Sequence, residues 1–143
     1  MKFGIRALLL VGVVCCAGLV QASDRDALQG AWQLSSGVAD GKALSPAELA
    51  GGKLEIEGDH YTLTMGHSSP ITGTQKLGMS NDLHTIDITF DNGEHQGDTC
   101  LGIYETHGDE FRVTFSLPGA DRPTSFEPAP RSGQWMHVWK RAN

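Results

Sequence analysis

The sequence predicts an all-β fold: an eight-stranded antiparallel up-and-down barrel with one short helix between the first two strands. The 143-residue chain contains 18 glycines and 6 prolines, a composition that favours tight turns and short strands over long helices. Apolar and polar residues alternate in short segments separated by turn residues, the pattern of strands with one buried face. Eight such strands must hide both edges of their sheet. Closure into a barrel does so, and a two-sheet sandwich is the alternative.

Residues 1–22 have the character of a secretory signal peptide. Lys2 and Arg6 precede an apolar run of about 14 residues, shorter than the roughly 20 that a membrane-spanning helix needs. Residues 20–22, Val-Gln-Ala, suit cleavage by a signal peptidase. We therefore expect an exported protein, periplasmic or secreted, whose barrel domain is residues 23–143. No transmembrane segment is expected after cleavage.

The cysteines bear on the compartment and on stability. Cys15 and Cys16 lie inside the predicted signal peptide, and a lipid anchor there is disfavoured because Val14, rather than a small residue, precedes Cys15. Cleavage leaves Cys100 alone, so an internal disulfide is excluded and stability must come from an apolar core. Because Cys100 lies in an apolar run, it is predicted to be a buried, unreactive thiol.

The first part of the domain combines helical and strand patterns. Residues 24–29 are predicted to form a short helical turn, and the first strand begins at Gly30. The Ser-Pro-Ala-Glu segment at 45–48 starts a helix, since serine caps it, proline takes its first position and glutamate its third. The glycine pair at 51–52 ends that helix.

The other strands follow from period-two alternation between turn residues. Glycines at positions 73 and 78 weaken and break one of them, the strand over 70–79. A loop with four prolines, ordered or mobile, separates the last two strands and covers residues 118–133. The seven strands after the helix are predicted at 54–57, 60–65, 70–79, 83–90, 99–106, 111–117 and 134–141.

The residues at the two ends of the domain resemble a known family. Gly30-Ala31-Trp32 resembles the Gly-x-Trp signature of lipocalins, and Lys140-Arg141 resembles the basic residue that packs over that tryptophan. The chain from residue 23 onward is similar to a family of small exported lipocalin-like domains of uncharacterised function. This resemblance implies a lipocalin-like barrel and no particular activity. The other matching segments are 28–32, 40–42, 46–49, 102–105, 108–109, 122–126 and 139–141.

A binding function is the first hypothesis. Such a barrel is expected to hold a small apolar or amphipathic molecule without performing chemistry on it. An open interior of roughly 300 Å³ or more is the observation that favours this hypothesis. Five residues are the predicted ligand-binding lining: Tyr61, Met65, Tyr104, Phe115 and Trp135.

A protein-interaction function is the alternative. The barrel surface and the 118–133 loop are then expected to dock on an envelope protein or to inhibit an enzyme, with Arg122, Phe126 and Arg131 as partner-binding residues. Loss of Lys2 and Arg6 with the signal takes the net charge from -6 to -8, which disfavours nucleic acid as a partner.

An enzymatic function is not expected, and neither are catalytic residues, a metal or a cofactor. The segment at 66–70, Gly-His-Ser-Ser-Pro, departs from the nucleophile elbow because proline replaces its last glycine. The six histidines lack the close spacing of zinc motifs. Glu55 and Glu57 share one strand face, which is predicted to face solvent. Arg112 is either an outward solvated charge or a cross-strand partner of Glu105.

Overall fold

The computed structural model of the protein describes residues 24–142. Helix α1 covers residues 24–28, and the predicted signal peptide, with Cys15 and Cys16, lies outside the described residues. The other elements are β1 (Gly30–Ala39), β2 (Lys42–Ala43), α2 (Pro46–Leu49), β3 (Lys53–Glu57), β4 (His60–Thr64), β5 (Ile71–Ser80), β6 (Leu83–Phe90), β7 (Thr99–His107), β8 (Glu110–Phe115) and β9 (Trp135–Arg141).

The sheet closes on itself as the sequence predicts. Strands β1 and β3 to β9 pair antiparallel in chain order, and β9 returns to pair with β1 over most of its length. Closure removes both free edges, which is why the eight alternating strands prefer the barrel. The two-residue strand β2 was not predicted from the sequence. It pairs with the end of β1 after a tight turn. Asp40 and Gly41 both have positive φ there, as a tight two-residue hairpin turn requires.

Helix α2 forms where the sequence predicts it, between the first two barrel strands. Its cap, Ser45, accepts a hydrogen bond from the backbone N–H of Glu48 at 3.3 Å, and the Glu48 carboxylate accepts one from the Ser45 N–H at 2.7 Å. This reciprocal pair satisfies two backbone donors that would otherwise lack partners. The helix therefore starts at Pro46, set by local chemistry rather than by packing.

One end of the barrel is closed by α1 and two tryptophans. Leu28 at the end of α1 is fully buried, and its carbonyl accepts a hydrogen bond from Trp32 Nε1 at 2.9 Å. The guanidinium of Arg141 lies 4.2 Å from the centre of the Trp32 ring. The Phe111 ring meets Trp32 edge-on at 4.6 Å and lies roughly parallel to Trp139. These contacts seal this end with apolar side chains and one cation.

Strand β5 is longer and less interrupted than its glycines suggest. It runs unbroken over ten residues, so the expected break at Gly73 and Gly78 is wrong. Gly73 is needed for packing, because a Cβ atom there would overlap the Tyr61 ring and the Thr89 carbonyl oxygen. Because Gly73 has no side chain, the ring of Tyr61 on β4 has room to lie against β5.

The proline-rich loop before β9 is ordered against the outside of the barrel. Thr114 Oγ1 donates to the Phe126 carbonyl at 3.3 Å, and Ser116 Oγ donates to the Asp121 carbonyl at 2.5 Å. Thr114, Ser116 and Ile103 are almost completely buried under it. The loop therefore adds a second small buried layer on the outer face of β7 and β8.

Candidate ligand-binding cavity

A cavity of about 90 Å³ lies inside the barrel. Its wall draws on α1 and on strands β3, β4, β5, β6, β8 and β9, because each presents one face inward. Most of the lining side chains are aliphatic or aromatic. The lining residues are Leu28, Leu54, Ile56, Tyr61, Leu63, Gln75, Ile86, Ile88, Phe90, Phe111, Val113, Phe115, Trp135, His137 and Trp139.

The cavity is deepest at the end closed by α1. Leu28, Phe111 and Trp139 are buried there, whereas Leu63 and Trp135 towards the other end are only partly buried. Phe115 and Trp135 approach each other with ring centres 5.5 Å apart. The gradient of exposure indicates that the cavity opens to solvent at the end occupied by Leu63 and Trp135.

Three of the five residues predicted to bind a ligand line this cavity: Tyr61, Phe115 and Trp135. Met65 and Tyr104 do not belong to the lining. Met65 lies just beyond the end of β4, where it packs partly buried against the core. Tyr104 is buried, and its hydroxyl donates to Asp24 Oδ2 at 3.3 Å. It therefore holds α1 against the barrel rather than facing the cavity.

Two polar side chains in the cavity wall have no hydrogen-bond partner among the described residues. They are Tyr61, through its hydroxyl, and Gln75, through its amide Nε2. Tyr61 is 5% exposed and Gln75 is 7% exposed, so bulk water does not replace the missing partner. Buried polar groups without partners are uncommon because each costs free energy. Two of them in residues that line one apolar cavity therefore suggest a ligand that the cavity receives.

The titratable groups of the lining are uncharged at neutral pH. Burial raises the pKa of Tyr61, and the negative charge of Asp91 raises it further, so the phenol keeps its proton. Burial lowers the pKa of His137 to about 4, so its imidazole is neutral at pH 7. The lining includes no Asp, Glu, Lys or Arg. The cavity is therefore apolar and neutral, with two unsatisfied donors.

Twelve of the fifteen lining residues were not among those predicted, and Gln75 is the one of them with an unpartnered polar group. It lies on β5 opposite Ile88, a cavity residue, and its own neighbours along the inward face are Gly73 and Leu77. The feature that could have identified Gln75 is a polar residue at an inward-facing position of a strand. Nothing in the sequence distinguished it from an outward polar residue, because the glycines obscured the alternation of this strand.

Cys100 has the buried environment that its apolar surroundings predict. It is 1% exposed, and burial raises its pKa to about 11, with a further contribution from Asp98. The thiol is therefore protonated at neutral pH, which makes it a poor nucleophile.

Of the three residues predicted to bind a partner, two contact other parts of the protein and one is exposed. Arg122 Nη1 donates to Asp87 Oδ1 at 2.6 Å and to the Gly102 carbonyl at 2.8 Å, so it ties the loop to the barrel. The ring of Phe126 lies under the Arg112 guanidinium at 4.3 Å. Both side chains thus have partners inside the protein and are not free contacts. Arg131 is exposed, at a position with positive φ.

Arg112 combines the two arrangements expected for it. Its side chain lies on the outer face of β8 and is 39% exposed, while its Nη2 donates to the carboxylate of Glu105, directly opposite on β7. Through Phe126 it also contacts the loop. It therefore links two strands and the loop that covers them.

The features considered for catalysis or metal binding lie apart from the cavity. The turn at 66–70 and the side chains of Glu55 and Glu57 are exposed. Within residues 24–142, no three His, Cys, Asp or Glu side chains form an arrangement that could hold a metal ion.

Neither helix in residues 24–142 has the length and apolar character needed to cross a bilayer.

Comparison with known proteins adds no relative. No family model, no curated protein and no solved structure matches this chain.

Proposed function

We propose that this chain is an exported, lipocalin-like binding protein that holds a small apolar molecule inside its barrel and performs no chemistry on it. The observation that carries the proposal is the cavity, whose wall is apolar and uncharged and which ends at a sealed base. Apolar cavities with a few placed polar groups are the usual form of small-molecule sites. The absence of a carboxylate, thiol or cation from this lining favours binding over catalysis.

The volume limits what the cavity receives. The cavity of about 90 Å³ does not reach the roughly 300 Å³ that the binding hypothesis expected of an open interior, so that expectation is not met. Sites that enclose drug-sized molecules have roughly 300–1,000 Å³. The cavity is also smaller than an engineered cavity of about 150 Å³ that takes up benzene. A ligand of a few non-hydrogen atoms fits within it. A longer molecule can place one end in the cavity, while its other end extends into solvent through the opening beside Leu63 and Trp135.

The ligand is sought by native mass spectrometry of protein purified from its own producing cells. A small additional mass that leaves on denaturation supports the proposal and gives the ligand's mass. A bare chain, together with no binding of any apolar probe in solution, contradicts it.

A pair of variants locates the site. Phe115→Ala enlarges the cavity and is expected to change the affinity for an apolar probe or the size of probe accepted. Leu117→Ala, two residues further on and 46% exposed, is the matched control and is expected to leave binding unchanged. If both variants bind like the original protein, the cavity is not the binding site.

Protein interaction through the 118–133 loop is the less supported proposal. Arg122 and Phe126 already hold the loop on the barrel, which leaves Arg131 as the exposed member of the predicted set. The Arg131→Ala variant tests it by loss of partner capture.

A further inference from the structure

We propose that Tyr61 and Gln75 bind an uncharged hydrogen-bond acceptor, such as a ketone, aldehyde, ester or amide oxygen, at the enclosed end of the ligand. This inference rests on the proposed binding function and specifies the class of molecule. The ligand is then an apolar chain or ring with a neutral oxygen acceptor, rather than a plain hydrocarbon or an ionised lipid.

Two donor side chains lie next to each other on one wall of the cavity. Tyr61 lies opposite Gly73 on β5, and Gln75 is the next inward residue of that strand. Residues diagonal to each other across antiparallel strands have Cα atoms about 7–8 Å apart, within reach of long side chains. The side chains of Tyr61 and Gln75 can therefore reach one region of the cavity.

Both donors lack hydrogen-bond partners among the described residues. Both side chains are more than nine-tenths buried, and neither Tyr61 Oη nor Gln75 Nε2 has a hydrogen-bond partner in residues 24–142. The other buried tyrosine, Tyr104, has its hydroxyl bonded to Asp24. Two buried nitrogens outside the cavity lining, His84 Nδ1 and Arg112 Nε, also lack a hydrogen-bond partner, but both residues form ion pairs, with Asp24 and Glu105. Tyr61 and Gln75 have no such compensation, and an acceptor that enters the cavity gains the hydrogen bonds that the protein leaves open.

The charges around the cavity disfavour an ionised group at the buried end of the ligand. The lining has no cation to neutralise a carboxylate, and His137 is neutral because its burial lowers its pKa. Asp91 lies close enough to raise the pKa of Tyr61, and the same negative charge opposes an anion beside that hydroxyl. An ammonium group would be repelled by the positive ends of the Tyr61 O–H and Gln75 N–H dipoles. A neutral acceptor is the group that both donors favour.

The test compares three probes of equal length: octan-2-one, octane and octanoate, by calorimetry at neutral pH with the full mature protein. We expect the ketone to bind about tenfold more tightly than the hydrocarbon, and octanoate to bind more weakly than the ketone. Tyr61→Phe keeps the ring and removes the donor, so it should lose most of the preference for ketone while retaining affinity for octane. Gln75→Met should act in the same direction.

The control is Tyr104→Phe, which removes the same hydroxyl from a buried tyrosine outside the cavity lining and should keep the preference. Equal binding of ketone and octane by the original protein, or a preference that survives both Tyr61→Phe and Gln75→Met, overturns the acceptor inference and leaves the binding function standing. Tightest binding of octanoate overturns it as well. If none of the three probes binds, both proposals fail. A crystal structure in which buried water satisfies both donors and octan-2-one does not displace it also overturns the inference.

Discussion

Arg141 is expected to contribute a large share of the stability at the closed end of the barrel. Its Nη1 donates to the Gln29 carbonyl at 2.8 Å and its Nη2 to the Ala27 carbonyl at 2.9 Å, while its guanidinium covers the Trp32 ring. A hydrogen bond from a charged donor contributes about 1.5–3 kcal/mol. Because the side chain is 34% exposed, the lower value applies. The two bonds and a cation–π contribution of roughly 0.5 kcal/mol give a loss of about 3.5 kcal/mol for Arg141→Met.

The ion pair between Arg141 and Asp109 is left out of this estimate. The atoms are 3.7 Å apart and the Asp109 side chain is 92% exposed, so solvent screens the interaction. Methionine retains much of the aliphatic packing over Trp32, and the measured loss therefore reports the guanidinium contacts.

Urea denaturation followed by tryptophan fluorescence measures the effect at neutral pH. The matched control is Lys140→Met, a neighbouring cation that is exposed, which should change the unfolding free energy by less than about 0.5 kcal/mol. If Arg141→Met is no more destabilising than Lys140→Met, the guanidinium does not hold α1 to the barrel and the reasoning is refuted.

Three further predictions test the interior. Gly73→Ala should lower the unfolding free energy by about 2–3 kcal/mol in urea, because its Cβ would overlap the Tyr61 ring and the Thr89 carbonyl; a smaller change than 0.5 kcal/mol would mean that β5 moves freely. Since the pKa of His137 falls to about 4 in the folded protein, the unfolded chain takes up a proton first. The free energy of unfolding should therefore decrease between about pH 6.5 and 4, and His137→Gln should have a flatter profile than the original protein. Cys100 should resist a thiol reagent in the native protein and react fully in denaturant; rapid native labelling would contradict its burial.

Local chemistry explains why several elements were predictable. The capping box around α2 involves only Ser45 and Glu48, so four consecutive residues are enough to predict the start of the helix. The hairpin of β3 and β4 pairs Ile56 with Tyr61 and Glu57 with His60, as the alternation on either side of one tight turn requires. The same alternation over eight strands favoured closure into a barrel over a two-sheet sandwich, and the pairing of β9 with β1 confirms it.

Packing across the barrel explains why the site was only partly predictable. Tyr61, Phe115 and Trp135 were found because aromatic residues on inward faces are visible in the alternation. Tyr104 has the same pattern, but its hydroxyl donates a hydrogen bond to Asp24 of α1 and is therefore not available to a ligand. The burial of Phe126 under Arg112 likewise depends on how a loop folds back over strands that precede it.

The sequence by itself determined the capped helix, the buried cysteine and most of the strands, because each follows from the spacing of neighbouring residues. The tertiary structure decided between the barrel and the two-sheet sandwich, since closure depends on the pairing of β1 with β9. Only the tertiary structure decided that a cavity of about 90 Å³ remains, and that Gln75 and Tyr61 face it without partners. The volume of a cavity is the difference between the space that the strands enclose and the side chains that fill it. That difference depends on residues from α1 and six strands at once, which no local pattern encodes.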